Sequence, residues 1–225
     1  MSEYAAGGWL LSEAQGFKGK DAICGWARIS KSPETAAGRG DDTEPPCHRG
    51  GFMKVLGIDP GLASTGVGLV WGSGMRPQGY SYGCIHTRSN TDTGSRLARI
   101  YSRLCSLIED EHPDLMVIED VFSLDVYPRS GITLGKVCGV ILLAGSQSQI
   151  PMLEVAVREA KQVLTGNGNA DKAQLERNVR RLLGAPEPVR PAHAADALGL
   201  ALIGLYRQHP APTARICQRS GGPLR

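Results

Sequence analysis

The stretch VLGIDPGLASTGVGLVW, residues 55–71, decides the fold that this chain is expected to adopt. Its first half is a short apolar run, Val55 to Ile58, that ends at Asp59-Pro60-Gly61, which is typical of a strand followed by a turn. Thr65 to Trp71 and Tyr80 to His86 predict two further strands, separated by the turn-rich segment GSGMRPQG. Three short strands with tight turns indicate an antiparallel meander.

Helical and strand-like segments alternate after the meander. Apolar residues at helical spacing from Leu97 to Ile108 predict a helix that ends at His112-Pro113, and Leu115 to Ile118 predict a buried strand closed by Glu119. Four helices and one strand complete the order: a helix over Ile132 to Leu143, a strand over Met152 to Ala156, and helices from about Arg158, from about Ala170 to Leu183 and from His193 to Tyr206.

This order predicts an α/β fold with a mixed five-stranded sheet and helices on both faces. It resembles the order of the ribonuclease-H-like fold, in which the first and fourth strands lie side by side in the middle of the sheet. In that fold Asp59 and Glu119 would end neighbouring strands at the same edge of the sheet.

The chain divides into a central domain, residues 53–207, and two flanking segments. Residues 1–52 are predicted to be a disordered N-terminal extension, because Lys31 to Gly51 are polar, rich in Gly and Pro, and without periodicity. One hypothesis is that Met53 is the natural start, which an intact mass of the native protein would test. Residues 208–225 are predicted to be a flexible basic tail.

Composition limits the location more than the function. A net charge of +3 permits nucleic-acid binding but does not argue for it. The six cysteines are scattered without zinc-like spacing, which favours reduced thiols. Because the sequence shows neither a secretion signal nor an apolar stretch long enough to cross a bilayer, the protein is predicted to be cytoplasmic.

Two carboxylates close apolar strands, and each has an ordinary explanation when taken alone. Asp59 can begin a turn by bonding to its own backbone, and Glu119 can simply be solvated at a strand end. His193 and Asp196 are more informative, because they share one face of a helix that is otherwise small and apolar. A lone carboxylate buried in such a helix is unfavourable by several kcal/mol. Helix capping and metal ligation explain this pair equally well.

The four residues together favour metal binding. Three carboxylates and an imidazole at the ends of apolar elements repel one another unless cations neutralise them. Oxygen-rich sites suit Mg²⁺ or Mn²⁺, and the softer imidazole of His193 tilts the choice towards Mn²⁺. Two such ions roughly 4 Å apart stabilise the in-line displacement of a phosphodiester. We therefore expect a two-metal nuclease with Asp59, Glu119, His193 and Asp196 as ligands.

Four motifs, in order over roughly residues 53–207, resemble those of the RuvC family of Holliday-junction resolvases. The lysine and glycine segment is the most discriminating of them, and the last motif has Asp or His at its first position in the family. The motifs are Gly57-Ile58-Asp59-Pro60-Gly61 with Thr65-Gly66-Val67-Gly68; Ile118-Glu119-Asp120-Val121-Phe122; Glu159-Ala160-Lys161-Gln162 with Thr165-Gly166-Asn167-Gly168-Asn169-Ala170-Asp171-Lys172; and His193-Ala194-Ala195-Asp196-Ala197-Leu198.

The resemblance implies a homodimer that resolves a four-way DNA junction by two symmetric cuts, together with a branch-migration motor complex. It also implies that Lys161 reaches the scissile region, that Lys172 binds the DNA backbone and that Phe122 stacks on an unpaired base near the crossover. A lone lysine is more often a solvated surface residue, and Phe122 can equally be part of the core. These three roles therefore rest on the family match alone.

The chain departs from the family after Phe122, where residues 123–131 are longer and less regular than usual. Family members commonly carry Ala and Arg before the glycine at Gly139, where this chain has Val137 and Cys138. We expect Arg129 and Lys136 to supply the displaced positive charge for DNA binding.

Three alternatives remain beside junction cleavage. An actin-like ATPase also begins with a Gly-Ile-Asp-x-Gly turn, but it needs two related domains, and this chain has neither the length nor a second copy of the motif. A non-catalytic junction-binding protein is a second alternative, although all four ligand positions carry capable residues. A nuclease of the same fold that acts on RNA or a flap is the third, and the lysine and glycine segment argues against it.

Overall fold

Eight strands form a single sheet in the computed structural model, which describes residues 3–5, 9–13, 23–31, 52–120 and 128–208. The strands are β1 (Glu3–Ala5), β2 (Trp9–Glu13), β3 (Cys24–Lys31), β4 (Phe52–Asp59), β5 (Ser64–Ser73), β6 (Arg76–His86), β7 (Leu115–Asp120) and β8 (Met152–Ala156). The helices are α1 (Thr93–Glu111), α2 (Pro128–Gln147), α3 (Val157–Thr165), α4 (Lys172–Leu183) and α5 (Ala192–Gln208).

The predicted five-stranded sheet is confirmed as five consecutive strands of this larger one, which run from β6 to the edge strand β8. The strand order is β1-β2-β3-β6-β5-β4-β7-β8. β4, β5 and β6 form the expected antiparallel meander, whereas β4 pairs with β7 and β7 with β8 in parallel. The first and fourth strands of the predicted domain, β4 and β7, therefore lie side by side.

The turn between β5 and β6 is tighter than the sequence suggested. The predicted break spanned residues 72–79, but the strands continue until Ser73 pairs with Arg76. Gly74 takes a left-handed φ of 60°, a conformation that glycine adopts without strain. Local glycine and proline content therefore overstated the length of this loop.

Helices cover both faces of the sheet, as predicted. α1 and α2 pack on one face, against a cluster that includes Leu56, Ile58 and Ile118. α3, α4 and α5 pack on the other, against a cluster that includes Val55 and Val117. The alternation of these side chains along β4 and β7 explains how each strand contributes to both cores.

α5 lies unusually close to the strands because glycines face it. A Cβ atom built on Gly57 would lie 2.0 Å from the carbonyl oxygen of Ala197, and one on Gly66 would lie 2.0 Å from that of His193. Side chains at these positions would push the helix away from the sheet. The glycines of the first motif therefore fix where α5 begins.

The predicted disorder of residues 1–52 is wrong for the parts that the structure describes. β3 pairs antiparallel with β6, and β2 and β1 follow outward. Strand addition at a sheet edge is held by backbone hydrogen bonds, so it needs few apolar side chains. Ile23 and Ile29 are buried against the domain, one in each hydrophobic cluster. The predicted basic tail lies outside the described residues, except for Gln208 at the end of α5.

One described helix contradicts the expectation that no segment is long and apolar enough to cross a membrane. Within α2, residues 130–147 meet that criterion by length and composition alone, and 28% of them are buried in the fold. Val137, Ile141 and Ala144 belong to the core shared with α1, whereas Ile132 and Leu143 are 62% and 50% exposed. α2 therefore packs as a core helix on one side and leaves an apolar face uncovered.

Candidate active site

Two acidic residues lie next to each other where parallel strands β4 and β7 end. Ile58 pairs with Ile118, so the residues that follow, Asp59 and Glu119, are neighbours in the ladder. Both side chains fall on the face covered by α5, because they alternate with the residues that face α1 and α2. The predicted neighbourhood of the two carboxylates is present in the structure.

The first turns of α5 bring His193 and Asp196 to the same place. The Nδ1 atom of His193 lies 2.5 Å from Oδ2 of Asp59, so the ring bonds across to the sheet rather than to the backbone of its own helix. His193 and Asp196 line one pocket together with Asp59 and Glu119. This arrangement favours a shared site over simple helix capping.

The three carboxylates of this pocket are electrostatically strained. Burial raises the pKa of Glu119 to about 8, and the charges of Asp59 and Asp196 add to that effect. Burial also raises the pKa of Asp59, while its hydrogen bond to His193 works in the opposite direction. The pKa of Asp196 is raised by burial and then by the charge of Asp59. Positive charge brought into the pocket would therefore be bound strongly.

Lys161 from α3 and Lys172 from α4 line the pocket as well. The charge of Lys172 acts against the dominant effect of burial on the pKa of all three carboxylates, and that of Lys161 does so for Asp196. Both lysines therefore lie close enough to the acidic cluster for their positive charges to oppose the rise in carboxylate pKa. These positions differ from the solvated surface position that a lone lysine usually has.

Gln162 braces the loop between α3 and α4, a feature that was not assigned a role from the sequence. Its Nε2 donates to the carbonyl of Gly166 at 2.9 Å, and its Oε1 accepts from the backbone N–H of Gly168 at 2.9 Å. The residue stands in a quoted motif beside Lys161, but its contacts depend on the folded loop. The loop is thus held by one side-chain amide at both ends.

The start of α4 is fixed by a capping box. The Asp171 side chain accepts from the backbone N–H of Gln174 at 2.7 Å, and the Gln174 side chain accepts from the backbone N–H of Asp171 at 3.2 Å. Such a reciprocal pair satisfies two helix N–H groups. Because Lys172 is the first residue of α4, the capping box and the loop set its position over the pocket.

The chemistry of these donors fits a divalent cation. Carboxylate oxygens and an imidazole nitrogen are ligands that Mg²⁺ and Mn²⁺ accept. Within the described ranges, no three His, Cys, Asp or Glu side chains form a ready-made metal cage. The Asp59 carboxylate is instead engaged with His193. A cation would therefore have to compete with that bond.

Three further residues were predicted to bind DNA, and of these the structure describes the side chain of Lys136 alone. Phe122 and the side chain of Arg129 lie outside the described residues. Lys136 is exposed on α2, on the opposite face of the sheet from α5. The structure thus brings together six of the predicted residues in the pocket and places Lys136 away from it.

Comparison with known proteins agrees with this geometry. Residues 55–204 match the family model described as crossover junction endodeoxyribonuclease RuvC. A protein of that name from Caldicellulosiruptor saccharolyticus is 39% identical over 151 residues, which are 67% of this chain and 90% of the relative. One from Salinispora arenicola is 39% identical over 175 residues, which are 76% of this chain and 99% of the relative.

Solved structures give the same result. Thermus thermophilus RuvC in complex with a Holliday junction substrate has a TM-score of 0.66 and 28% identity, over 70% of this chain and 95% of that one. The yeast mitochondrial Holliday junction resolvase, with a TM-score of 0.51 and 12% identity over 71% of this chain and 80% of that one, shares the fold alone. By its sequence and its fold, the chain belongs to the RuvC family of crossover junction endodeoxyribonucleases.

Proposed function

We propose that this chain resolves four-way DNA junctions by paired cleavage of phosphodiester bonds during recombination and repair, with Asp59, Glu119, Asp196 and His193 at the centre of the reaction. The observation that carries the proposal is the convergence of three carboxylates with raised pKa values and two lysines in one pocket at the sheet edge. A structural pocket would have little reason to hold so much unneutralised charge.

The three carboxylates are the proposed ligands of two Mg²⁺ or Mn²⁺ ions. When bound, such ions supply Lewis-acid stabilisation of the charge that develops on the phosphate during an in-line displacement. Asp59 and Glu119 hold their positions through the parallel pairing of β4 and β7, and Asp196 through the packing of α5. Strands and packed helices hold metal ligands in a fixed geometry relative to the substrate.

His193 has two roles open to it. Its ring nitrogen lies 2.5 Å from Asp59, so it either orients that carboxylate or exchanges the bond for a metal ion. Only the second role requires the neutral ring, because a protonated imidazole cannot act as a ligand. If His193 is a ligand, His193→Asn will weaken Mn²⁺ binding more than Mg²⁺ binding, because imidazole is a softer ligand than carboxylate.

The lysines are proposed to bind substrate. Lys161 and Lys172 sit on α3 and α4 beside the carboxylates, where their positive charge would attract a phosphate group that the carboxylates alone would repel. Lys161 would reach the scissile phosphate, and Lys172 would bind the adjacent backbone. Phe122, Arg129 and Lys136 remain proposed DNA contacts on the strength of the family resemblance.

A homodimer is proposed through α2. Its uncovered face presents Ile132 and Leu143, with Gly135, Lys136 and Gly139 between them. A Cβ atom added at either glycine would have no atom of the described chain within 4 Å. Small residues flanked by apolar ones allow two copies of a helix to approach closely across a two-fold axis. Two copies would place two pockets on one junction, as symmetric cleavage requires.

A branch-migration motor and a cytoplasmic location are also proposed. Both follow from the activity, since a resolvase acts where chromosomal junctions form and move. Purification of the full chain from its own cells, followed by identification of co-purifying proteins, would test the partnership.

The activity is tested by comparing substrates. The full chain would be incubated with a synthetic four-way junction, a linear duplex of the same sequence and an RNA–DNA hybrid, each with Mg²⁺ or Mn²⁺. Paired nicks on the junction alone are expected. Equal cleavage of the hybrid would identify a nuclease with another substrate, and junction binding without nicking would identify a non-catalytic binding protein.

Asp196→Asn provides the matched catalytic test. Loss of one charge from the pocket should lower the single-turnover rate on the junction on the order of 10²–10³-fold, the usual effect of removing one group that stabilises developing charge. Asp110→Asn removes the same charge from an exposed position in the last turn of α1 and should leave the rate unchanged. Equal rates for both variants would overturn the assignment of Asp196.

A further inference from the structure

The start of α1 lies at the same edge of the sheet as the carboxylates. β5 begins beside the end of β4, where Gly66 pairs with Asp59, and β6 ends opposite the start of β5, where His86 pairs with Ser64. The chain then passes directly into the loop before α1. Because α1 covers the face opposite α5, its first turns lie at this edge across the sheet from Lys161 and Lys172.

Apart from Asp92, which caps its N-terminus, the charged residues of α1 are arranged against the helix dipole. Arg96 and Arg99 lie near its N-terminus, and Arg88 precedes it. The last turns contain Glu109, Asp110 and Glu111. There is no acidic residue in the first turn and no basic residue in the last. A helix dipole favours the reverse order, by about 0.3–1 kcal/mol for each charge near a terminus. The helix dipole therefore does not explain why the arginines cluster at this end.

Two of the arginines are held in place at the loop. Nε of Arg96 donates to Oγ1 of Thr87 at 2.8 Å, and Nε of Arg99 donates to the carbonyl of His86 at 3.0 Å. The Thr87 hydroxyl in turn donates to the carbonyl of Leu62, in the segment that follows Asp59. Each of these arginine bonds uses Nε, so the terminal nitrogens of each anchored guanidinium group can contact a further acceptor. Arg88 is exposed beside them.

From this arrangement we infer that Arg88, Arg96 and Arg99 form a second phosphate-binding surface, the arginine ridge, for a duplex arm of the junction. The inference rests on the proposed function and extends it. Lys161 and Lys172 bind the backbone on one side of the scissile phosphate, and the arginine ridge binds the arm that leaves on the other side. Guanidinium groups suit phosphate oxygens because their planar donors fit two oxygens at once.

A charge-matched pair of variants tests the inference. Arg96→Gln with Arg99→Gln removes two charges from the ridge, whereas Arg180→Gln with Arg181→Gln removes two from the last turn of α4. Junction affinity would be measured by fluorescence anisotropy with Ca²⁺ in place of the catalytic metal, at several NaCl concentrations. The ridge variant should bind on the order of tenfold more weakly, and its log–log salt slope should be shallower by about 1.8, from about 0.9 for each lost contact.

The α4 variant should match the wild type in both affinity and slope. Equal affinity and slope for the ridge variant and the wild type would overturn the inference, as would an equal loss in the α4 variant. Failure of the proposed function gives a different result, because the wild-type chain would then neither prefer nor cut the junction.

The Arg88→Gln variant controls for loss of binding caused by misfolding of the Arg96→Gln, Arg99→Gln variant. Arg88 lies outside any helix or strand, so this change should leave the unfolding temperature unaltered. It should reduce the salt slope by about 0.9 through loss of one phosphate contact. An unchanged slope for Arg88→Gln would remove Arg88 from the ridge, and unchanged slopes for both ridge variants would refute the ridge altogether.

Discussion

The helices α2 and α5 have similar apolar compositions but opposite surroundings. From Ala197 to Leu205, the apolar side chains of α5 are buried against the sheet. α2 buries one side against α1 and leaves Ile132 and Leu143 on its outer face. An apolar sequence therefore does not determine whether a helix ends up inside the molecule. The partner surface decides it.

Glycine placement accounts for much of this difference. Gly57 and Gly66 belong to the strands beneath α5, where any side chain would collide with the helix backbone. Gly135 and Gly139 belong to α2 itself and face open space. In the first case the close approach is already made within the chain. In the second case, the glycines of α2 leave room for another molecule to approach this helix equally closely.

The largest expected effect separates the two kinds of glycine. Gly66→Ala places a Cβ atom against the carbonyl of His193, so it should lower the free energy of unfolding by about 3 kcal/mol, the upper part of the usual overpacking range. In the isolated subunit Gly139→Ala meets nothing in the described chain and should instead gain up to about 1 kcal/mol of helix propensity. Urea denaturation of both variants measures the contrast, and equal changes would break it.

The next effect concerns the outer face of α2. Leu143→Asp introduces a charge into the proposed dimer interface and should weaken self-association on the order of 30-fold, as expected for a central apolar contact worth about 2 kcal/mol. Met75→Asp changes a side chain of similar exposure in the β5–β6 turn and should have no effect. Analytical ultracentrifugation over a range of concentrations distinguishes them. A dimer that survives Leu143→Asp unchanged would exclude this face.

A smaller effect concerns the pH dependence of stability, which follows from the burial of Glu119 beneath α5. The folded chain raises the pKa of Glu119 from 4.5 to about 8, first through burial and then through Asp59 and Asp196. Between these pH values the folded state retains a proton that the unfolded chain has released. The free energy of unfolding of the metal-free protein must therefore fall as the pH rises across this window.

Glu119→Gln removes that contribution to the pH dependence. At pH 8 without metal, the variant should unfold about 2–4 °C above the wild type, the shift that about 1 kcal/mol produces in a domain of this size. Near pH 4.5 the two proteins should converge. Added Mg²⁺ should reverse the order at pH 8 by stabilising only the wild type. A wild-type unfolding temperature that rises from pH 5 to pH 8 in chelator would contradict the prediction.

The last effect is on the cleavage rate rather than on stability, and it concerns the braced loop on the α5 side of the sheet. Gln162→Ala removes two hydrogen bonds to the loop that precedes Lys172, so the cleavage rate should fall by about tenfold, as expected for two bonds of about 0.5–1.5 kcal/mol each. Gln162→Glu keeps the acceptor for Gly168 and should retain more activity. Unequal losses of this kind in rate, with equal unfolding temperatures, would identify Gln162 as a positioning residue.

Much of the central domain could be predicted from the sequence because its signals are local. The apolar runs before Asp59 and Glu119 define strands, and the spacing of His193 and Asp196 defines a helical face. The bond between His193 and Asp59 could not be predicted, because it joins residues 134 positions apart in a way that only the docking of α5 determines. The same is true of Gln162, whose amide acts only on the folded loop.

The N-terminal strands were missed for a different reason. Helices and buried strands reveal themselves by apolar periodicity, but a strand added at a sheet edge depends mainly on the backbone of its neighbour. Trp9-Leu10-Leu11 and the run from Ala22 to Ile29 do contain apolar residues, but they are too few to build a separate core, and Ile23 and Ile29 are buried only by packing against the central domain. The surroundings that make β3 a strand are supplied by β6 and cannot be detected in the segment itself.

The added strands also change how the molecule meets other copies of itself. Without them, the outer strand on this side would be β6, whose eleven residues would offer a long row of backbone donors and acceptors. With them, the outermost strand is β1, which has three residues. Long exposed strands serve as templates for intermolecular pairing and aggregation, whereas short ones do not. The described N-terminal strands therefore replace a long exposed edge with a short one, the arrangement by which sheet proteins limit edge-to-edge pairing.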